Sequence, residues 1–370
     1  DVAICLAKAL KRDGRPPDIK PLIDILPTLT HDQMMELRHE YKRFVKTRGE
    51  LKGVNIAKHI RSRLKDEDHD LMQVCYATAL GRWESEAYWV TRWYHGDKGR
   101  NELIIESLMG RPNDEIRLIK DGFKDEKYDN SLTKCLHAEL REGVLREAVM
   151  AVLKEERMEE IDEQGLPLYL EREDVKHLNH ALKSGTNLQR VLISTVTQSS
   201  DRHLSEMLEI YNQNYDGANL AKDALKASGN ELGEIVAHVF NGVINKPLRD
   251  AMLIHHALTA SRRDPLRNDL LISRLVRCHW NRGHMRDAEG EYRSKYGMEL
   301  HLAVRDATSG EFGRFCEALV TQIPKDDSLG YLTDDDDADA NIDSPEEHEE
   351  EIENGGNLPQ PRTTVEGRQR

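Results

Sequence analysis

The chain has 370 residues, 38% of them hydrophobic but only 5% aromatic, and a net charge of −14 at pH 7. That length exceeds what one ordinary core fills, and the shortage of aromatics leaves Leu, Ile, Val and Ala to build the interior, which favours packed helices over a β-sandwich. Five cysteines, Cys5, Cys75, Cys135, Cys278 and Cys316, are odd in number, irregularly spaced and without a C-x-x-C pair. They argue against a disulfide framework and for a reduced, cytoplasmic compartment. No apolar run approaches the ~18 residues of a membrane span, and VAICLAKALKRDG is too short and too soon charged for a signal peptide. The sequence opens on Asp1 rather than Met, which leaves an N-terminal extension open.

Taken in chain order, the helical segments repeat. The first unit runs from a helix ending in Ala9-Leu10-Lys11 through PLIDIL and Tyr41 to DEDHDLMQVCYATAL. The second opens with RWESEAYWVTRWY, turns at HGDKG, passes Phe123 and closes with EGVLREAVMAVL. The third has Ala181-Leu182-Lys183, RVLIST, Tyr211 and SGNELGEIVAHVF; the fourth has Ala257-Leu258-Thr259, DLLISRL, Tyr292 and SGEFGRFCEALV. The aromatic markers stand 82, 88 and 81 residues apart, and Gly143, Gly229 and Gly310 recur at 86 and 81. A period of this size is the signature of a repeat array. Within each unit the apolar spacing is helical, as in Leu145, Val149 and Val152, with no sustained alternation. The expected fold is all-α, with four repeats of four or five short helices at 1–80, 81–165, 166–244 and 245–323. Residues 324–370 form a tail. Between 331 and 353 it holds 12 acids and no Lys or Arg, so it is expected to remain disordered.

The order of these markers resembles the annexins, four-repeat α-helical proteins that bind acidic phospholipid membranes through calcium. The resemblance covers about 320 residues and is carried best by HALKSGTNLQRVLISTV, LSEMLEIYNQNYDGANL and SKYGMELHLAVRDATSGEF. It implies a curved disc of five-helix repeats, with each repeat offering a G-x-G-T loop and an acid about 40 positions after the second Gly. Calcium takes about 6 to 8 oxygens, so glycines turn carbonyls inward and a carboxylate closes the shell.

Matched against that pattern, the second repeat offers Gly96, Asp97 and Gly99, with Glu139 lying 40 positions after Gly99 and Glu142 one turn further on. Its glycines are three apart rather than two, so this loop is one residue longer than the pattern. The third repeat keeps Ser184-Gly185-Thr186, but Lys183 takes the first Gly position and Leu225 or Lys226 the acid position, with Asp223 a turn away. In the first repeat Arg12 and Arg15 flank Gly14, and Arg63 falls at the acid position. In the fourth, Ala260 and Arg262 replace the glycines, Arg263 the threonine and Ala307 the acid, with Asp306 one residue off.

The resemblance puts the first and fourth repeats in one module and all these loops on one face. Lys11, Arg12, Arg15, Arg63, Arg262, Arg263 and Arg267 would then form a basic patch for lipid phosphate, since each basic residue near an anionic surface adds ~1 kcal/mol. The expectation is a monomeric, cytoplasmic protein that associates peripherally with acidic phospholipid. Calcium would act weakly through one or two repeats, and basic loops would act without it. The rival is a protein-interaction scaffold that has lost both activities. The plain alternative for the arginines is solvated loop residues.

Other groups are read more simply. The cluster Cys278, His279 and His284 lacks a fourth ligand and is taken as helix-end residues. Trp83, Trp89 and Trp93 are expected to pack between repeats. No nucleophile is paired with a base, which argues against an enzyme. A net negative body without a dense basic run argues against nucleic acid. Ser344, in DSPEEHEEE, is a candidate phosphorylation position.

Overall fold

The computed structural model describes residues 2–11, 16–46, 52–95, 100–159 and 172–322, the side chains of 93–95 and 172 excepted. Arg12, Arg15, Gly96, Asp97, Gly99 and the acidic tail therefore lie outside the described residues. Helices dominate what is described, and the sole β pairing there is an isolated bridge between Lys46 and Gly53.

The first repeat comprises α1 (Val2–Lys11), α2 (Lys20–Ile25), α3 (His31–Phe44), α4 (Ile56–Leu64) and α5 (His69–Leu80). The second has α6 (Arg82–His95), α7 (Glu102–Leu108), α8 (Asn113–Gly122), α9 (Leu132–Glu139) and α10 (Val144–Val152). The third has α11 (Arg172–Ser184), α12 (Leu188–Gln198), α13 (Asp201–Asn214), α14 (Leu220–Ala227) and the first part of α15 (Asn230–Thr259). The fourth takes the rest of α15, then α16 (Arg267–His279), α17 (Arg282–Tyr296), α18 (Leu300–Ala307) and α19 (Gly310–Thr321).

α15 is two helices joined by a kink. Asn245 sits at φ −160° and ψ 92°, outside helical space, and its Oδ1 accepts from Leu248 N at 2.9 Å. Pro247 follows in the first turn, where its missing N–H leaves no intrahelical bond unmade. With the kink as a boundary, every repeat contains five helices.

Polar caps set the helix starts. Thr30 and Gln33 form a reciprocal capping box on α3, and Asp68 accepts from Asp70 N and Leu71 N at the start of α5. Asn55, Ser131, Ser200, Asn219 and Asn281 cap α4, α9, α13, α14 and α17 in the same way. Such a cap stabilises a helix by ~1 kcal/mol. Between the first two repeats Gly81 turns the chain at φ +79°, and a Cβ there would lie 2.4 Å from Met35 Cε. Only glycine fits that turn without a shift.

The buried side chains form two cores. One joins the first and fourth repeats, from Leu6 and Ile60 to Leu271 and Phe315; the other joins the second and third, from Ile104 and Leu136 to Leu204 and Phe240. Trp89, 1% exposed, leaves its own repeat to pack in the first core. Trp83 stands edge-on to His31 of the first repeat at 6.5 Å, with the Arg82 guanidinium 4.2 Å above its face. Both therefore pack across repeats, which for Trp89 is what its spacing to Trp93 predicts. The Trp93 side chain is outside the description.

A buried ionic seam ties the second repeat to the fourth. Arg274 reaches Glu106 at 2.6 Å, while Arg277 reaches Glu86 at 2.8 Å and Glu106 at 3.3 Å. Arg111 adds a second cation to Glu86 at 2.6 Å. Burial would raise the Glu86 pKa, but Arg111 and Arg277 outweigh it and hold the carboxyl below its ordinary value. With both partners present, these charges satisfy the pairing that buried ions demand.

Candidate functional site

In each repeat the end of the first helix and the end of the fourth supply the two loops that the sequence pattern assigns to an ion. A helix C-terminus leaves carbonyls without intrahelical donors and carries roughly half a negative charge. Something cationic is therefore favoured there.

In the first and fourth repeats that cation is an arginine. Arg63, one residue from the end of α4, donates from Nε to the Leu10 carbonyl at 2.8 Å. Arg267, the first residue of α16, donates from one terminal nitrogen to the Leu258 carbonyl at 3.3 Å and to the Ala307 carbonyl at 2.9 Å. Leu10 and Leu258 are matched positions in Ala-Leu-Lys and Ala-Leu-Thr. Ala307 is the residue at the fourth repeat's acid position. Two guanidinium groups thus reach the same helix-end carbonyl by different routes, one from the acid position itself and one from the following helix.

Arg267 is only 7% exposed, and its remaining hydrogen bond among the described residues is to Asn268 Oδ1 at 3.0 Å. Its shell is made of neutral oxygens. Burial pushes its pKa down, the nearby Arg262 pushes the same way, and Asp70 opposes them. The side chain read from the sequence as a phosphate contact is turned inward. Arg262 and Arg263 are exposed, Arg63 and Lys11 half-buried.

In the second repeat Glu139 closes α9 and accepts from the Tyr128 hydroxyl and from Lys127 Nζ, the latter at 3.4 Å. The Tyr128 pKa is raised, first by burial and then by its hydrogen bond to Glu139, with Lys127 opposing. Glu142 is exposed and 3.9 Å from Arg146. Arg100, immediately after the Gly96 to Gly99 loop, grips Glu102 at 2.5 Å and both oxygens of Asp264 at 2.7 and 2.6 Å. Arg100 thereby ties the approach to α7 to the fourth repeat's Asp264.

In the third repeat Gly185 is exposed at φ +71°, and Thr186 N donates to Ser184 Oγ at 3.1 Å. Asp223 accepts from the Tyr211 hydroxyl at 3.2 Å, while Leu225 and Lys226 are exposed at the acid position. A further carboxylate, Glu147 of α10, lines the same shallow cleft as Gly185 and Arg190, and accepts from Gln189 Nε2 at 3.0 Å. Counting within one repeat misses it, because it comes from the repeat before.

The sequence cluster Cys278, His279 and His284 divides. His279 is buried at the end of α16, with Nδ1 3.3 Å from the Leu319 carbonyl. Cys278 and His284 instead converge on Asp250 of α15.

No family model matches the chain. It is 23% identical over 335 residues to annexin C1 of Cryptococcus neoformans var. grubii, covering 86% of this chain and 64% of that protein. It is 26% identical over 225 residues to annexin A1 of Equus caballus, covering 59% of this chain and 60% of that protein. The matches thus span less than two thirds of the length of these curated relatives. The structure superposes on a mutant of annexin A8 with a TM-score of 0.71 at 20% identity, covering 87% of this chain and 94% of that one. On calcium-bound alpha-14 giardin the TM-score is 0.65 at 13% identity, covering 86% and 98%.

Proposed function

Because the chain is a divergent homologue of the annexins and carries their fold, we propose that it binds anionic phospholipid surfaces peripherally, from the cytoplasmic side, with only a minor part for calcium. The observation that carries this reading is the pair of arginines on matched carbonyls. Arg63 on Leu10 and Arg267 on Leu258 supply positive charge where an ion would otherwise gather oxygens. At those carbonyls a divalent cation would meet a guanidinium, so the first and fourth repeats are poorly suited to calcium.

With those loops held by arginine, the exposed Arg262 and Arg263 beside them are free to face lipid phosphates, which guanidinium groups bind through two parallel donors. Calcium, when bound, would bridge protein oxygens to lipid phosphate, and the second and third repeats retain the residues for it. In the second these are Gly96, Asp97 and Gly99 with Glu139 or Glu142. In the third they are Gly185 with Glu147, the carboxylate that shares its cleft. No helix among the described residues is long and apolar enough to cross a membrane, in keeping with a surface contact.

Calorimetric titration of the full chain with calcium tests the division of labour. At most two equivalents should bind, and Glu139→Gln should remove one. Four equivalents, or an isotherm indifferent to changes at both Glu139 and Glu147, would overturn it. Absence of any affinity for anionic vesicles, with or without calcium, would favour the scaffold reading instead.

A further inference from the structure

Apart from the loop face, the fourth repeat brings three side chains of metal-binding chemistry to one point. Asp250 lies in the second part of α15, Cys278 at the end of α16 and His284 in the first turn of α17. One carboxylate oxygen, the thiol sulfur and one imidazole nitrogen all lie within 4.8 Å of one another. His284 Nε2 is 2.7 Å from Asp250 Oδ2. Asp250 and Cys278 are buried, at 7% and 2% exposure, and the His284 side chain is 16% exposed.

We propose that Asp250, Cys278 and His284 form a binding site for one zinc-class transition-metal ion, separate from any calcium loop and independent of the membrane reading. One sulfur, one nitrogen and one oxygen are a borderline-soft donor set, suited to zinc and not to calcium, which takes oxygen alone. A tetrahedral zinc ion holds such ligands about 3.4–3.6 Å apart, from bonds of ~2.0–2.3 Å. The spread of up to 4.8 Å must therefore close by about an ångström, while the 2.7 Å pair opens. Rotation of the half-buried His284 serves both needs.

The supporting contacts already exist. Arg249 holds Asp250 Oδ1 at 2.7 Å, which leaves Oδ2 for the ion. His284 N donates to Asn281 Oδ1 at 3.1 Å, which fixes the start of α17. A cavity lined by Asp250, His284 and His238 opens beside the ligands and gives both an entry path and room for a fourth ligand. The charges close as well. The ion displaces the thiol proton of Cys278 to solvent, and the proton on His284 Nε2 moves to Nδ1. Two positive charges then meet one carboxylate and one thiolate, so the bound unit is neutral and burial is tolerated. Arg249 and Arg277, with Arg111 and Lys246 on the cavity wall, weaken affinity by repulsion, and the release of the Cys278 proton makes binding tighten as pH rises.

Cobalt(II) is the probe, titrated into the reduced full-length chain. The expected result is one equivalent, with the visible bands of four-coordinate cobalt and a thiolate-to-cobalt charge-transfer band in the near ultraviolet, both abolished by zinc. Excess calcium should leave them in place. Cys278→Ser should remove the charge-transfer band and weaken binding on the order of 100-fold, whereas Cys135→Ser, in the other core, should change neither. Zinc should also raise the melting temperature of the chain and of Cys135→Ser, but not of Cys278→Ser. Cobalt binding without a thiolate band, or a band unchanged in Cys278→Ser, would overturn the proposal.

Discussion

Replacing Arg267 by Met probes the arginine that joins the Leu258 and Ala307 carbonyls. The substitution keeps most of the side-chain volume and removes the charge. Two carbonyls lose a donor: Ala307, bonded at 2.9 Å by a charged group, and Leu258, at a weaker 3.3 Å. At ~1.5–3 kcal/mol for the first and about 1 kcal/mol for the second, the loss is about 2.5–4 kcal/mol. Against it stands the relief of a buried guanidinium whose Nε has no hydrogen-bond partner among the described residues, about 1–2 kcal/mol. The net destabilisation is about 2 kcal/mol, which for a cooperative unit of 150–250 residues lowers the melting temperature by roughly 4–8 °C. Scanning calorimetry of Arg267→Met at pH 7 measures it, and added calcium should restore none of the loss. An unchanged or higher melting temperature would refute the argument, since the buried charge would then be a net burden that the carbonyls do not repay.

Arg63→Ala should cost about 1 kcal/mol, less than Arg267→Met, because the site is half-buried and water can replace the donor to the Leu10 carbonyl; the two variants compared by urea unfolding give the order. Tyr128→Phe should tighten calcium binding to the second repeat by a few fold, because it removes a hydroxyl that holds the Glu139 carboxylate; an unchanged isotherm would show that Glu139 serves no ion. Acid should destabilise the chain through its buried histidines. Burial, helped by Arg63, lowers His59 to about 4, and burial with Arg282 lowers His279 to about 3. Unfolded histidine takes its proton near 6.5, so stability falls as pH drops from about 6.5 toward these values, by about 2 kcal/mol per histidine at pH 5. Burial lowers His238 as well, so urea midpoints at pH 7 and 5 check the slope, which His59→Gln should reduce by one histidine's share, about a third.

Much of the architecture was legible in the sequence because apolar periodicity and recurring markers are local features of the chain. The apolar spacing is helical throughout, and the near-constant spacing of Tyr41, Phe123, Tyr211 and Tyr292 reveals the repeats, whereas Asn281, a residue type expected at helix ends, proved to cap a start. Trp89 was readable as a contact between repeats from its spacing to Trp93. Arg63 at an acid position was legible by counting alone. The inward turn of Arg267 was not, since its partners are the main-chain oxygens of Leu258 and Ala307, and a carbonyl has no letter in the sequence. Asp250 was missed for a different reason. It meets Cys278 and His284 only because α15 bends at Asn245 and runs back along α16 and α17. Glu147 escaped because it lines a cleft beside the loop of the repeat after its own.

The most direct test of the central claim is co-sedimentation with phosphatidylserine-containing vesicles in EGTA, comparing the natural chain with Arg262→Glu/Arg263→Glu. The account predicts binding without calcium, weakened by at least about 30-fold in the variant, since each basic residue contributes ~1 kcal/mol at such a surface. Retention in the supernatant until calcium is added, or equal binding by both proteins, would contradict it.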